Sequence, residues 1–468
     1  MSIRRDGDNS GQRVLVIGLD CAAPEFVFRH PDYDLPNLHA LMDRGAWGSL
    51  RSCDPPITVP AWSCMTSGRD PGALGIYGFR NPRSRDRYGD FGIATSRSVR
   101  ESRIWDIAGD AGRNVCVVGV PQTFPVKTVN GCLVSGLLTL DQEAACTYPS
   151  TLREELIDAL GSIQFDVNDF RTEDKENLFE RIVSFMENRF AVSGYLMKNK
   201  PWDFFMMVEM GLDRLHHAFW RFADPSHPKF EESNPFRWHV KRYYEQMDRH
   251  IGELLALAGE DVKVAVVSDH GAKAMHGGIR INQWLMDRGY LSLKRPLDAS
   301  EPFDVEKVDW SRTVAWGEGG YYGRVFVNVR DREPEGTVAP EELDSTVSRL
   351  KSELEAMPGP DGLSLGNRAL RPADLYPQVH GIAPELLVYF GDLHWRSLGE
   401  VGASSIYAET NDRGPDDANH AMEGIVILSD GDGEELSDAS LFDIAPTVLN
   451  WMGLPVSPGM QGNPLLDG

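Results

Sequence analysis

Short apolar runs rich in β-branched residues recur along the chain: VLVIGL (14–19), NVCVVGV (114–120), DFFMMVEM (203–210), KVAVVS (263–268), ELLVYF (385–390) and GIVILS (424–429). Continuous runs of this kind suit strands buried on both faces, the habit of parallel sheets. The intervals hold amphipathic stretches predicted as helices at about 36–44, 100–111, 151–160, 175–198, 236–258 and 440–452. In ESRIWDIAGDAG the apolar Ile104, Trp105, Ile107 and Ala108 recur at helical spacing, and Gly109 and Gly112 supply the stop. The expected fold class is therefore α/β, a mostly parallel central sheet with helices on both faces. Residues 291–379 break the pattern with a β-rich patch (TVAWGEGGYYGRVFVNV), a Pro/Gly/Glu turn and one helix (EELDSTVSRLKSELEAM). They are expected to form a smaller inserted α+β subdomain within a core made of 12–290 and 380–468.

With 468 residues, 41% of them hydrophobic, the chain has material for a large core. Its 47 Lys and Arg against 70 Asp and Glu leave a net charge of -23, which opposes the electrostatics of nucleic-acid polymers and anionic membrane surfaces. No window approaches about 18 uninterrupted apolar residues, so no membrane span is expected. The opening MSIRRDGDNSGQRVLVIGLD has too short an apolar run and no cleavage pattern for a secretory signal, and a cytoplasmic location is expected. All 6 cysteines lie in the first third without a CxxC pair, reading as reduced core residues rather than a zinc cage or a disulfide framework. The acidic stretches near 410–438 read as solvated loops.

The acidic and histidine residues fall where chemistry is built. Asp20 ends the first strand, and Asp269 and His270 end KVAVVSDHG, both at strand C-termini, where open α/β sheets place their sites. Asp213 and His217 follow another strand at a spacing of four, sharing one face of a helix; of the adjacent His216 and His217, one must be non-ligating. His420 lies in the loop ANHAMEG before a strand, with His276, His380 and His394 as competitors. Singly, an Asp at a strand end is commonly a helix cap. Together, three carboxylates and three imidazoles are what two zinc-like ions about 4 Å apart would require. A hydroxyl nucleophile is available in PPITVPAWSCMTSG, where prolines hold Thr58 near a helix N-terminus, a good place for a phosphate. Ser63, Thr66 and Ser67 compete with it and read as packing or capping groups.

This ordered set, Asp20, PPITVPAW with Thr58, Asp213 with His217, SDHG at 268–271 and His420, resembles the alkaline phosphatase superfamily, and within it the type I phosphodiesterase and nucleotide pyrophosphatase group. The resemblance covers most of 12–290 and 380–468, which it implies to be the catalytic core, with 291–379 as an inserted cap that selects substrate. It implies that Asp213, His217 and His420 hold one divalent metal, while Asp20, Asp269 and His270 hold the other together with Thr58. Zinc is the expected ion, with manganese or another transition metal as the alternative. It further implies a metal-dependent phosphodiesterase acting on a small-molecule phosphate ester through a phosphothreonyl intermediate on Thr58. A phosphomonoesterase or phosphonate-ester hydrolase with the same site is the alternative, and a non-catalytic metal-stabilised binding module the alternative of another class.

Some positions depart from that group. Ala61 stands where an Asn usually donates to a phosphoryl oxygen, and backbone N–H groups near Val59, Lys273 or Arg280 are candidate replacements. No CxPxR pattern surrounds Thr58, which disfavours sulfate esters. Tyr77, Phe79, Arg80, Trp220 and Arg221 are candidate pocket residues, and the chain carries neither a P-loop nor a dinucleotide fingerprint near its first strand.

Overall fold

The computed structural model describes residues 11–28, 30–297 and 300–466. Among them the apolar runs assemble a nine-stranded sheet from β1 (Arg13–Leu19), β2 (Gly45–Arg51), β3 (Val115–Val118), β4 (Gly131–Val134), β5 (Thr147–Tyr148), β6 (Phe204–Glu209), β7 (Val262–Val267), β8 (Glu423–Gly431) and β9 (Glu434–Glu435), in the order β9-β2-β8-β7-β1-β6-β3-β4-β5. The central pairs β7-β1, β1-β6, β6-β3 and β3-β4 are parallel, while β8 runs antiparallel between β2 and β7.

Side chains of a strand alternate between faces, so β1 feeds two cores at once. Leu15, Ile17 and Leu19 enter a cluster with Leu38, Leu212, Leu215 and Ile251 from helices on one face; Val14 and Val16 enter another with Trp62, Trp105 and Val448 from helices on the other. This is the expected α/β layering. The helix expected at 36–44 spans Pro36–Arg44, and that at 175–198 spans Lys175–Asn199.

The smaller unit holds an antiparallel sheet in the order Ala315–Glu318, Gly323–Val327, Leu386–Tyr389, Arg368–Leu370. The run at 385–390, expected in the central sheet, thus pairs in the small one. Its composition signals burial on both faces but not which sheet buries it. A separate apolar core joins Val325, Phe326 and Val327 with Ile279, Trp284 and Leu285 from before residue 291 and with Leu386, Val388 and Phe390 from after 379. The expected strand at 424–429 is central β8, but the acidic residues before it are not a solvated loop: the Asp416 side chain, Asp417, Asn419 and His420 are buried. All six cysteines are buried and unpaired by disulfides. Among the described residues no helix is long and apolar enough to cross a membrane.

Candidate metal centre

Parallel pairing of β1 with β7 aligns Gly18 with Val267, so the residues just beyond, Asp20 and Asp269, emerge side by side. On the other flank of β1 the Asp20 N–H donates to the Glu209 carbonyl at 2.9 Å, anchoring the end of β6. Glu209 then accepts from the N–H groups of Gly211 (2.6 Å) and Leu212 (3.0 Å) and starts α2 (Gly211–Ala223). Asp213 lies in the first turn of that helix, with His217 one turn later on the same face. His420 lies in a strand, Ala418–Ala421, rather than the expected loop. That strand pairs with Gly271–Ala274, setting His420 opposite Ala272, and the His270 and His420 rings stack with centroids 3.9 Å apart. The approach is close enough that a Cβ on Gly271 would meet the Glu423 carbonyl oxygen at 2.1 Å.

Thr58 is the first residue of α1 (Thr58–Ser67), a helix buried all round. Pro60 is tolerated because N–H groups of a first turn have no intrahelical partner. One turn on, the Trp62 indole N–H donates to Asp20 Oδ2 at 2.6 Å, and the ring lies over Gly18, where a Cβ would clash at 2.5 Å.

All seven residues singled out for this site meet in one buried cluster. Asp213 Oδ1 lies 3.3 Å from His217 Nε2 and 3.6 Å from His420 Nε2, and the two nitrogens are 3.3 Å apart. Beside them, His270 Nε2 lies 3.3 Å from Asp269 Oδ2, 3.9 Å from Asp20 Oδ1 and 3.4 Å from Thr58 Oγ1. A tetrahedral ion about 2.0–2.1 Å from its ligands needs them about 3.3–3.4 Å apart, close to these separations. Two groups of three ligand atoms fall within metal-binding reach, Asp213 with His270 and His420, and Asp20 with Asp269 and His270, so His270 stands between them.

The remaining atoms of the ligands are already used. Nδ1 of His217, His270 and His420 contacts Ala418 O (3.0 Å), Gly271 O (3.0 Å) and Pro56 O (3.0 Å) respectively. A carbonyl only accepts, so each Nδ1 carries the proton and each Nε2 offers its lone pair to the cluster. Asp213 Oδ2 accepts from Arg214 at 2.5 Å, and Asp269 Oδ1 from the Cys21 N–H at 3.2 Å. The three oxygens left over, Asp20 Oδ1, Asp213 Oδ1 and Asp269 Oδ2, are buried without a hydrogen-bond partner. Buried acceptors in that condition are costly unless a cation compensates them, and hard oxygens with imidazole nitrogens suit a divalent ion of the zinc type.

Burial and neighbouring charges pull these groups in different directions. Burial, followed by the charges of Asp269 and Asp213, holds the Asp20 carboxyl well above the usual range, and burial does the same to Asp269. Burial pushes His270 down to about 4 and His420 well below its ordinary value. At His217 burial opposes charge, but the carboxylates of Asp416 and Asp213 outweigh it and raise the imidazole to about 9.

Several contributors are not legible as site residues in the sequence. Asp416 Oδ1 accepts a hydrogen bond from His217 Nδ1 at 2.8 Å, and its other oxygen pairs with Arg171 at 2.9 Å. Tyr321, from the inserted unit, packs on His217 and His420 with centroids 4.8 and 4.4 Å away. A carboxylate four residues before His420 was the one available signal for Asp416. Carboxylate partners that orient a ligating histidine typically matter 10–100-fold, so Asp416→Asn should weaken metal affinity by about that factor in equilibrium dialysis; unchanged affinity would remove Asp416 from the support.

Other candidates fall away. His216 is buried against Tyr244, with 3.2 Å from its Nε2 to the hydroxyl, and is the non-ligating neighbour. His276 stacks on His394, and His380 reaches Gln378. Lys273 pairs with Asp392 and Arg280 with Glu400, so neither supplies the missing phosphoryl donor. Ser63, Thr66 and Ser67 each donate to a carbonyl of their own helix. Tyr77 and Trp220 are core residues bonded to the His380 carbonyl and to Asp224. Arg80 is exposed, Phe79 packs against the apolar cores, and Arg221 lies 3.6 Å from Asp417.

A family model that matches most of the chain makes it a hydrolase of phosphoric esters, of the alkaline phosphatase superfamily. The chain belongs to the type I phosphodiesterase / nucleotide pyrophosphatase family, whose model matches residues 14–416. Its fold is similar to that of human ectonucleotide pyrophosphatase / phosphodiesterase 5 (12% identity, TM-score 0.55, 97% of each chain covered). It is likewise similar to phosphonoacetate hydrolase from Sinorhizobium meliloti 1021, solved with phosphonoacetate (16% identity, TM-score 0.56, 93% of this chain and 94% of that one). No curated protein matches it by sequence.

Proposed function

We propose that the protein is a two-metal phosphodiesterase in which Thr58 is the nucleophile, Asp213, His217 and His420 hold one divalent ion, and Asp20, Asp269 and His270 hold the other beside the Thr58 hydroxyl. The observation that carries this reading is the convergence of three orphaned carboxylate oxygens and three imidazole Nε2 atoms around Thr58. Zinc fits this donor set best. When bound, such ions lower the pKa of a coordinated hydroxyl and neutralise charge on the leaving oxygen.

The chain supplies the rest. The N–H groups of Thr58 and Val59, in the first turn of α1, need no intrahelical partner and would take the place of the side-chain donor absent at Ala61. Trp62, Arg214 and Asp416 fix Asp20, Asp213 and His217, so the ligands need little reorganisation. Thr58 Oγ1 attacks phosphorus, the P–O bond to the leaving alcohol breaks, and the phosphothreonyl group is hydrolysed by water from the face that alcohol vacated. Two in-line displacements give net retention at phosphorus.

Comparing bis-p-nitrophenyl phosphate with p-nitrophenyl phosphate, with Thr58→Ala protein as the blank, tests the reading. Higher kcat/KM for the diester is expected; higher kcat/KM for the monoester would make the protein a phosphatase, and no Thr58-dependent turnover of either would favour a metal-stabilised binding module.

A further inference from the structure

β3 and β4 are parallel neighbours, and their register sets Cys116 directly opposite Cys132. The adjoining Val115, Val117 and Leu133 turn into the core on one face of the sheet, while both cysteines turn into the core on the other, with Leu152, Leu156 and Leu196. The two thiols therefore leave the same face of strands that run about 4.7–4.9 Å apart. That spacing lies inside the Cα separation a disulfide needs, about 4.4–6.8 Å, and just beyond its usual Cβ separation of about 3.5–4.5 Å. Joining the sulfurs needs only a small inward motion of the two strands, and the residual strain would leave the bond easy to reduce.

The two thiols are not equivalent. The strongest influence on each is its contact with the other, which lowers Cys132 and raises Cys116. At Cys132 burial opposes that contact and the Lys200 ammonium adds to it. Lys200 pairs with Glu155 at 2.6 Å, and both side chains are partly open to solvent. Cys132 is 7% exposed and Cys116 is fully buried. Thiolate character and an approach from solvent thus fall on Cys132, with Cys116 as the second sulfur behind it. Cys53 and Cys64, which also lie against each other, differ on each point. They are 2% and 0% exposed, Cys53 Sγ donates to the Pro55 carbonyl at 3.3 Å, and burial pushes Cys64 well above its ordinary value.

We infer that Cys116 and Cys132 form a reversible redox pair that hydrogen peroxide oxidises to an intramolecular disulfide. The Cys132 thiolate attacks one peroxide oxygen, the O–O bond breaks, and the departing hydroxide takes up the proton that Cys132 gave up, leaving as water. The Cys116 sulfur then bonds to the Cys132 sulfenic sulfur, whose hydroxyl leaves with the Cys116 proton as a second water. Two thiols and one peroxide give one disulfide and two waters; the sulfurs are oxidised and the peroxide oxygens reduced. A dithiol reductant reverses the reaction by exchange.

Peroxide treatment of the intact chain, followed by alkylation in denaturant and peptide mapping without reductant, tests this. One cross-link joining Cys116 to Cys132 is expected, assigned by fragmentation, with Cys21, Cys53, Cys64 and Cys146 alkylated. Dithiothreitol before alkylation should return all six cysteines to the alkylated form. In Cys116→Ser protein, dimedone should trap a sulfenic acid on Cys132, whereas Cys132→Ser protein should leave Cys116 unlabelled. Absence of the Cys116–Cys132 cross-link from the parent chain, a Cys53–Cys64 bond forming ahead of it, or dimedone on Cys116 in Cys132→Ser protein overturns the assignment, and the parent map decides it whether or not a variant folds.

Discussion

Thr58→Ala should lower kcat for every phosphate ester the protein turns over by about 10³-fold or more, with metal content and fold preserved. The structural cost of the substitution is small. Thr58 sits at the start of α1, its hydroxyl contacts His270 Nε2 rather than capping the helix, and Ala has the higher helix propensity. The alternative hydroxyls on the helix are tied to backbone carbonyls and cannot take over the attack. Thr58→Ser keeps the oxygen and should keep most of the activity. Steady-state kinetics beside circular dichroism and metal analysis check this; Ala protein within tenfold of the parent would remove Thr58 from the mechanism.

Chelation should abolish turnover and lower thermal stability together, both returning when zinc is restored. Asp20 and Asp269 are fully buried neighbours, and neither of the oxygens they aim at the cluster has a hydrogen-bond partner. Removing the compensating cations leaves two carboxylates whose pKa values are raised by burial first, with the Asp269 charge adding to it at Asp20 and the Asp213 charge at Asp269. Ligand substitution resolves the two ions. His217→Ala and His420→Ala should each leave about one ion per chain, since loss of one of three protein ligands spares the other set. Full activity in metal-free protein would end the two-ion reading, and a His420→Ala variant retaining both ions would exclude that imidazole as a ligand.

How far the sequence reaches follows from which interactions are local. Asp20 and Asp269 end strands whose runs are self-evident, Asp213 and His217 are one helical turn apart, and Thr58 is framed by prolines; all are read within a few residues. His420 was legible as a residue but not as part of a strand, because Ala418–Ala421 owes its conformation to pairing with Gly271–Ala274, far away in the chain. The same holds for 386–389, whose apolar run specifies burial while its partner strands specify the sheet. Asp416 sits in an acidic stretch that reads as solvated, and only the tertiary fold brings His217, Arg171 and Arg396 around it. Tyr321 lies within 291–379 and Arg396 beyond it, and no spacing in the sequence ties either to the metal-site residues they adjoin.

The most direct measurement is a rapid acid quench of the zinc-loaded protein during turnover of bis-p-nitrophenyl phosphate, followed by peptide mapping. The account predicts one phosphoryl substituent, carrying a single p-nitrophenyl group or none, on Thr58 in the segment PPITVPAW. The same substituent on Ser63, Thr66 or Ser67, or single-turnover hydrolysis with inversion at phosphorus and no labelled residue, would contradict it.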